Sequence, residues 1–323
     1  MKTSLPLSFM LVIVLGIPSS ARSDRKDRTV IELGALGGEG SAAISINARG
    51  QIVGEAETAT GDTHAFLLQK GVMRDLGTLD GDAISSAVFI NDHSQVVGAS
   101  ISETRGVRPI LWTHGVMSYL GSLGGTFGIA TAINNRGQVV GLSETGTGET
   151  HAFLWEDGVM TDLGGTNTAA NGINDRGQIV GASLMASGSF HAVLWQDAVM
   201  YDLGTLGGES STAFAINNRG QVVGESETAA GETHAFLWDR GVMQDLGTLG
   251  GAFTFSVAGS INNRGQVVGM NFMSSGQSRA FVWQDGIMTA LDDSDGSSSA
   301  LGINARGDIA GQILPAGAVL WAR

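Results

Sequence analysis

The chain has 323 residues, a formal net charge of −13, 42% hydrophobic residues and no cysteine. The acidic balance excludes a nucleic-acid binder that works through phosphate contacts, which needs clustered Lys and Arg. The hydrophobic content excludes a disordered chain, and the missing cysteine excludes disulfides, a lipid-bearing N-terminal cysteine and a thiol nucleophile.

Residues 1–21 read as a secretory signal peptide: Lys2 gives the positive start, Leu5–Ile17 the apolar run, and Ser19–Ala21 the small residues before cleavage. The run is shorter than the roughly 20 residues a spanning helix needs. Cleavage is therefore expected, with no membrane insertion afterwards and a secreted, extracellular or periplasmic location. Residues 22–28 read as a short linker, and residues 29–323 as one domain.

That domain is a sevenfold repeat. Relatives of "INNRGQVVG" begin at Ile46, Ile90, Ile133, Ile173, Ile216, Ile261 and Ile303. Around each marker the order of segments is the same. A small-residue segment (A) ends in Ile-Asn, and a tight turn leads to "QVVG" (B). A polar loop leads to "HAFLW" or a variant (C), and a second turn to "VM-x-DLG" (D). Each segment has the length and the β-branched and aromatic content of a strand. In "Asn-x-Arg-Gly", Asn217 suits the first position of a type I turn and Gly220 the left-handed position after it. The turn between C and D is expected to have the same shape.

Strand C is apolar at consecutive positions, as in Ala235–Trp238, so both sheet faces need cover. Small residues in A suit a crowded centre. The fold expected is all-β: a seven-bladed β-propeller of four-stranded antiparallel blades. Repeat seven stops at "AVLWAR" (Ala318–Arg323) without strand D, whereas "TVIELG" (Thr29–Gly34) is a surplus one. The N-terminal strand is thus expected to pair in the last blade and close the ring. An open solenoid of stacked sheets would not account for these complementary ends.

The motifs "DLGTLGG", "AINNRGQVVG" and "THAFLW", in register over residues 29–323, resemble the HAF-repeat family of bacterial extracellular repeat proteins. The resemblance implies export and a repeat-built β fold, and it supplies no catalytic residue. Arg108 and Arg279 stand where repeats two and six would have the histidine, and Gly317 where repeat seven would have it.

The repeated histidines, His64, His151, His191 and His234, each begin strand C of a separate repeat. Packed sheets lie about 10 Å apart, so ligands from different blades do not meet on one zinc ion at about 2 Å. A structural role is expected, the ring bonding loop backbone of its own blade. His93 and His114 fall in turns. Asn47, Asn91, Asn134, Asn174, Asn217, Asn262 and Asn304 either cap their own turns or form a polar ring, and the cap is preferred. Arg49, Arg136, Arg176, Arg219, Arg264 and Arg306 give the turn face a basic fringe.

Positions that fail to repeat are the candidates for binding, because loops on a rigid scaffold carry recognition. Around blade six these are Phe253, Phe255, Met270, Phe272 and Met273, with Asp292, Asp293 and Asp295 in the next loop. Leu291 occupies the place where a calcium loop would begin with an acid, so no metal and no cofactor is expected. No HExxH, GK[ST] or GxSxG motif is present. The reading is a monomeric, non-catalytic binding or scaffold module for a protein or glycan. The alternatives are a glycan hydrolase or lyase with carboxylates from several blades, and a structural surface protein.

Overall fold

The computed structural model describes residues 28–250, 255–293 and 296–323. The signal-peptide and linker segments before Arg28 lie outside this range, as do Phe253 and Asp295. The described residues form antiparallel sheets in the meander order A–B–C–D, seven blades in all. Blade five shows the unit: strands Gly207–Ile216, Val222–Thr228, Thr233–Asp239 and Val242–Asp245. Blades two and three also touch through a short parallel pairing of Phe127 with Val107.

The seventh blade takes its outer strand from the other end of the chain. Thr29–Glu32 pairs antiparallel with Gly317–Ala322, with Thr29 opposite Ala322 and Glu32 opposite Val319. Leu33 then donates its backbone N–H to Ala318 at 3.0 Å. Closure by the N-terminal strand, expected from the sequence, is what the structure shows.

The core lies between blades. On strand C of blade five, Ala235 and Leu237 pack against Ala258, Phe281 and Trp283 of blade six. Phe236, between them in sequence, packs against Val180, Ala192 and Leu194 of blade four. Adjacent residues thus serve opposite faces, as strand geometry requires. Strand A carries a bulge in every blade, between Ala213 and Ala215 in blade five. It pushes the carbonyl of Thr212 to within 1.9 Å of where a Cβ on Gly224 would sit. The last residue of "QVVG" is therefore glycine for space.

The two turns differ. The A–B turn has Gly220 donating to the Asn217 carbonyl at 3.0 Å with φ +85°. The C–D turn is a two-residue loop with both residues left-handed, Arg240 at φ 51° and Gly241 at φ 88°. The type I turn expected there is replaced by the I′ form, whose twist matches that of the flanking strands. Both turns of a blade lie on one face of the disc, and the B–C and D–A loops on the other.

Candidate functional site

The repeated histidine has one partner throughout. His64 Nδ1 lies 2.9 Å from Asp75, His151 2.8 Å from Asp162, His191 2.9 Å from Asp202 and His234 2.8 Å from Asp245. Each aspartate is the acid of "DLG" on strand D, eleven residues on and across the hairpin. Its other oxygen accepts the N–H of the following glycine, as Asp162 does from Gly164 at 2.7 Å. The ring's partner is a carboxylate, not the loop backbone expected from the sequence. The pair ties the outer strand of a blade to its neighbour.

The asparagines both cap their own turns and form a polar ring. Asn217 Oδ1 accepts the backbone N–H groups of Arg219 at 2.9 Å and Gln221 at 3.1 Å, which is the cap. Its Nδ2 donates to the backbone oxygen of Asn262 in the next blade at 3.0 Å. The same step runs Asn47, Asn91, Asn134, Asn174, Asn217, Asn262, Asn304, and Asn304 returns to the Asn47 oxygen at 3.3 Å. The asparagines are buried, and they join the blades into a closed hydrogen-bonded ring.

Blades that lose the histidine also lose the aspartate. In blade two Arg108 faces Tyr119, with the guanidinium 5.7 Å from the ring centre, and it bonds Asp82 in the preceding loop. Burial opposes ionisation of Asp82. Hydrogen bonds from Arg108 and Ser100, with the charges of Arg108 and Arg105, outweigh it and hold the carboxyl below its usual range. In blade seven Gly317 and Glu32 take the two places.

Blade six has Arg279 and Ala290. Alanine supplies only a methyl group where an aspartate would reach back to strand C. Arg279 points elsewhere, its Nη1 lying 3.5 Å from Asp292 and 3.3 Å from the Gly296 carbonyl. A cleft of about 400 Å³ lies here. Leu249, Met273 and Met288 are its apolar lining; Arg279, Asp292 and Asp293 are its charged lining, with Thr289 and Ala290 beside them.

Of the blade-six candidates, Met273, Asp292 and Asp293 thus meet at the cleft. Phe255 and Phe272 stack on one another on paired strands, centroids 4.1 Å apart, with Phe255 40% exposed. Met270 is buried at 6% exposure, so it belongs to the core and not to the exposed surface. Leu249, Arg279, Met288 and Ala290 join the site only through the tertiary structure. The available signal was the joint loss of histidine and aspartate in one repeat, visible once "HAF" and "DLG" are read as a pair.

Two carboxylates stand apart from this region. Glu55 and Glu225 occupy the same place in strand B of blades one and five, where other blades have Ala99, Leu142, Ala182, Met270 and Gln312. Burial raises the pKa of both, and a hydrogen bond with Ser86 partly offsets this for Glu55. Among the described residues no three His, Asp or Glu side chains stand placed to hold one metal ion.

No protein-family model matches the chain, and no curated protein matches it. Solved structures do. The β-propeller domain of the Trilobed protease from Pyrococcus furiosus superposes with a TM-score of 0.59 at 9% identity, covering 87% of this chain and 95% of that one. TolB from Acinetobacter baumannii gives 0.52 at 14% identity, with 83% and 78% covered. A puromycin-hydrolyzing peptidase from Mycobacterium tuberculosis gives 0.59 at 13%, covering 84% of this chain but only 48% of the peptidase. At these identities the likeness is one of fold, and the chain is a β-propeller.

Proposed function

We propose that this propeller is an exported, non-catalytic binding module that captures a protein or glycan at the loop face of blade six. The observation that carries this reading is the cleft opened where one repeat has exchanged the histidine–aspartate pair for Arg279 and Ala290. Its volume falls in the range of about 300–1,000 Å³ typical of ligand pockets. It combines an apolar floor with a few charged groups, the usual means of giving affinity and orientation together. The stacked Phe255 and Phe272 add apolar surface on the same blade. The "DLGTLGG", "INNRGQVVG" and "THAFLW" motifs retain their resemblance to HAF-repeat proteins, and with the leader-like residues 1–21 they support export.

The test restores the repeat. Arg279→His with Ala290→Asp rebuilds the pair of blades one, three, four and five and replaces two residues that line the cleft. Parent and variant are compared on a glycan array and in capture of purified exported proteins. A ligand held by the parent and lost by the equally stable variant supports the reading. A ligand held equally by both places recognition elsewhere.

A further inference from the structure

The two faces of the disc differ in charge. The turn face is mixed: arginines such as Arg136 and Arg219 follow the ring asparagines, while Asp92, Asp175 and Asp308 share these turns and Asp157, Asp197 and Asp285 lie in the C–D turns. The loop face is built differently. Blades one, three and five extend strand A to ten residues, against six or seven described residues in the other blades. Each extension is held by a glutamate of strand B: Glu57 accepts from Glu39 N at 3.1 Å, Glu144 from Thr126 N at 3.0 Å and Glu227 from Glu209 N at 3.0 Å. The B–C loops of these taller blades add Asp62, Glu149 and Glu232. The aspartates that face the histidines stand at the same end of the blades.

Among the described residues the cations at this face are Arg105, Arg108 and Arg279. Each one is matched by a carboxylate of the same face, Arg105 and Arg108 by Asp82 and Arg279 by Asp292. The net field over the loops is therefore negative. It adds over several blades, because surface charges within about 10 Å of one another are screened only in part at ordinary salt. The cleft of blade six opens in this acidic surround. Its floor of Leu249, Met273 and Met288 is apolar, and methionine adapts readily to the shape of an inserted group.

Building on the reading of the cleft as the binding site, we propose that the loop face docks a cationic polypeptide segment that seats one apolar side chain in the cleft. The apolar side chain gains from burial against the floor, and the flanking Lys or Arg residues gain from the acidic loops. Charge complementarity sets the partner's sign and speeds encounter, while the anchor sets residence. Anionic glycans, nucleic acids and anionic lipid surfaces are repelled by the same field.

Three short labelled peptides test this by fluorescence anisotropy: a Lys/Ser/Gly peptide with one central Phe, the same peptide with Ser for Phe, and a Glu/Ser/Gly peptide with the Phe. The first is expected to bind, and to weaken at least about tenfold between about 50 and about 300 mM salt. It is also expected to weaken at least about tenfold in the Arg279→His/Ala290→Asp variant, although that variant makes the face more acidic. Equal or tighter binding of the Glu peptide, or indifference to salt, overturns the cationic partner and leaves the cleft standing. Equal binding with and without Phe, unchanged in the variant, overturns the cleft instead. Failure of all three peptides to bind at millimolar concentration overturns both.

Discussion

Nδ1 of His151 lies 2.8 Å from Oδ2 of Asp162, bridging strands C and D of blade three. Four blades repeat this contact, and the three blades that lack the histidine also lack the aspartate. Its job in the repeat is to fasten an outer edge strand. A cleft lies at the blade that has given it up for Arg279 and Ala290.

The fastening has a modest, measurable strength. The aspartates are about two-fifths exposed, 42% for Asp162, so solvent weakens the pair. A double-mutant cycle of His151→Ala with Asp162→Ala should give a coupling of about 0.5–1 kcal/mol in urea unfolding. Asp162→Ala should cost more than His151→Ala, because it also strips the acceptor from Gly164. Equal single-variant losses with no coupling would show that the pair does not hold the strand.

Asn217→Ala should be far more costly. It removes the caps to Arg219 and Gln221 and the donors to Gln221 and Asn262, all at a buried site. A loss of about 2–4 kcal/mol is expected in equilibrium unfolding. Asn217→Asp keeps the caps and loses both Nδ2 donations, to Gln221 and to the Asn262 carbonyl, so its loss reads these two bonds together with the burial of a carboxyl. A fully stable Asn217→Asp variant would remove the ring from the list of stabilising contacts.

Removing residues 22–34 tests closure. It takes away the ladder from Thr29 to Glu32, the packing of Val30 against blade seven and the contact of Leu33 with blade one. The melting temperature should fall by roughly 5–10 °C for a loss of several kcal/mol in a chain of this size. Hydrogen exchange should quicken first in Gly317–Ala322, and an unaltered melting curve would contradict the role assigned to this strand.

Blade four carries a strained turn. Asp197 and Ala198 are both left-handed, at φ 53° and 62°, and the other two-residue C–D turns have glycine at the second position. Ala198→Gly should raise stability by about 0.5–1 kcal/mol, relief of the αL cost being partly offset by the freer unfolded chain. Chemical denaturation decides it; a loss would mean that the Ala198 methyl makes contacts that outweigh the strain.

Stability should depend on pH in two opposed ways. Burial raises the folded pKa of Glu225, so its favourable contribution is complete below the usual glutamate range and is lost as pH rises through the raised value. Glu225→Gln should thus be more stable than the parent at neutral pH, with the difference vanishing in acid. Asp82 behaves inversely. Its folded pKa is lowered, so its contribution is present above the usual aspartate range and is lost as pH falls through the lowered value. Thermal melts across pH 3–8, with Asp82→Asn beside Glu225→Gln, should show slopes of opposite sign.

The sequence by itself determined the blade count, the strand order, the Asn-x-Arg-Gly turns and the complementary ends of the ring. These follow from local chemistry: turn residues, strand periodicity and small side chains recur at fixed places in each repeat, and repetition makes them legible. Tertiary structure decided what a residue meets across space. Only there does Asn217 reach the carbonyl of Asn262, Met270 turn inward, and Arg279 swing to Asp292 and leave a cleft floored by Leu249 and Met288. The partners of Asn217 and Arg279 and the floor residue Leu249 lie on other repeats or in the loops between them. Their meeting depends on how one blade packs on the next, a distance no single repeat encodes. The histidine falls between these cases. Its aspartate is eleven residues away in the same repeat, readable from sequence once the hairpin register is known.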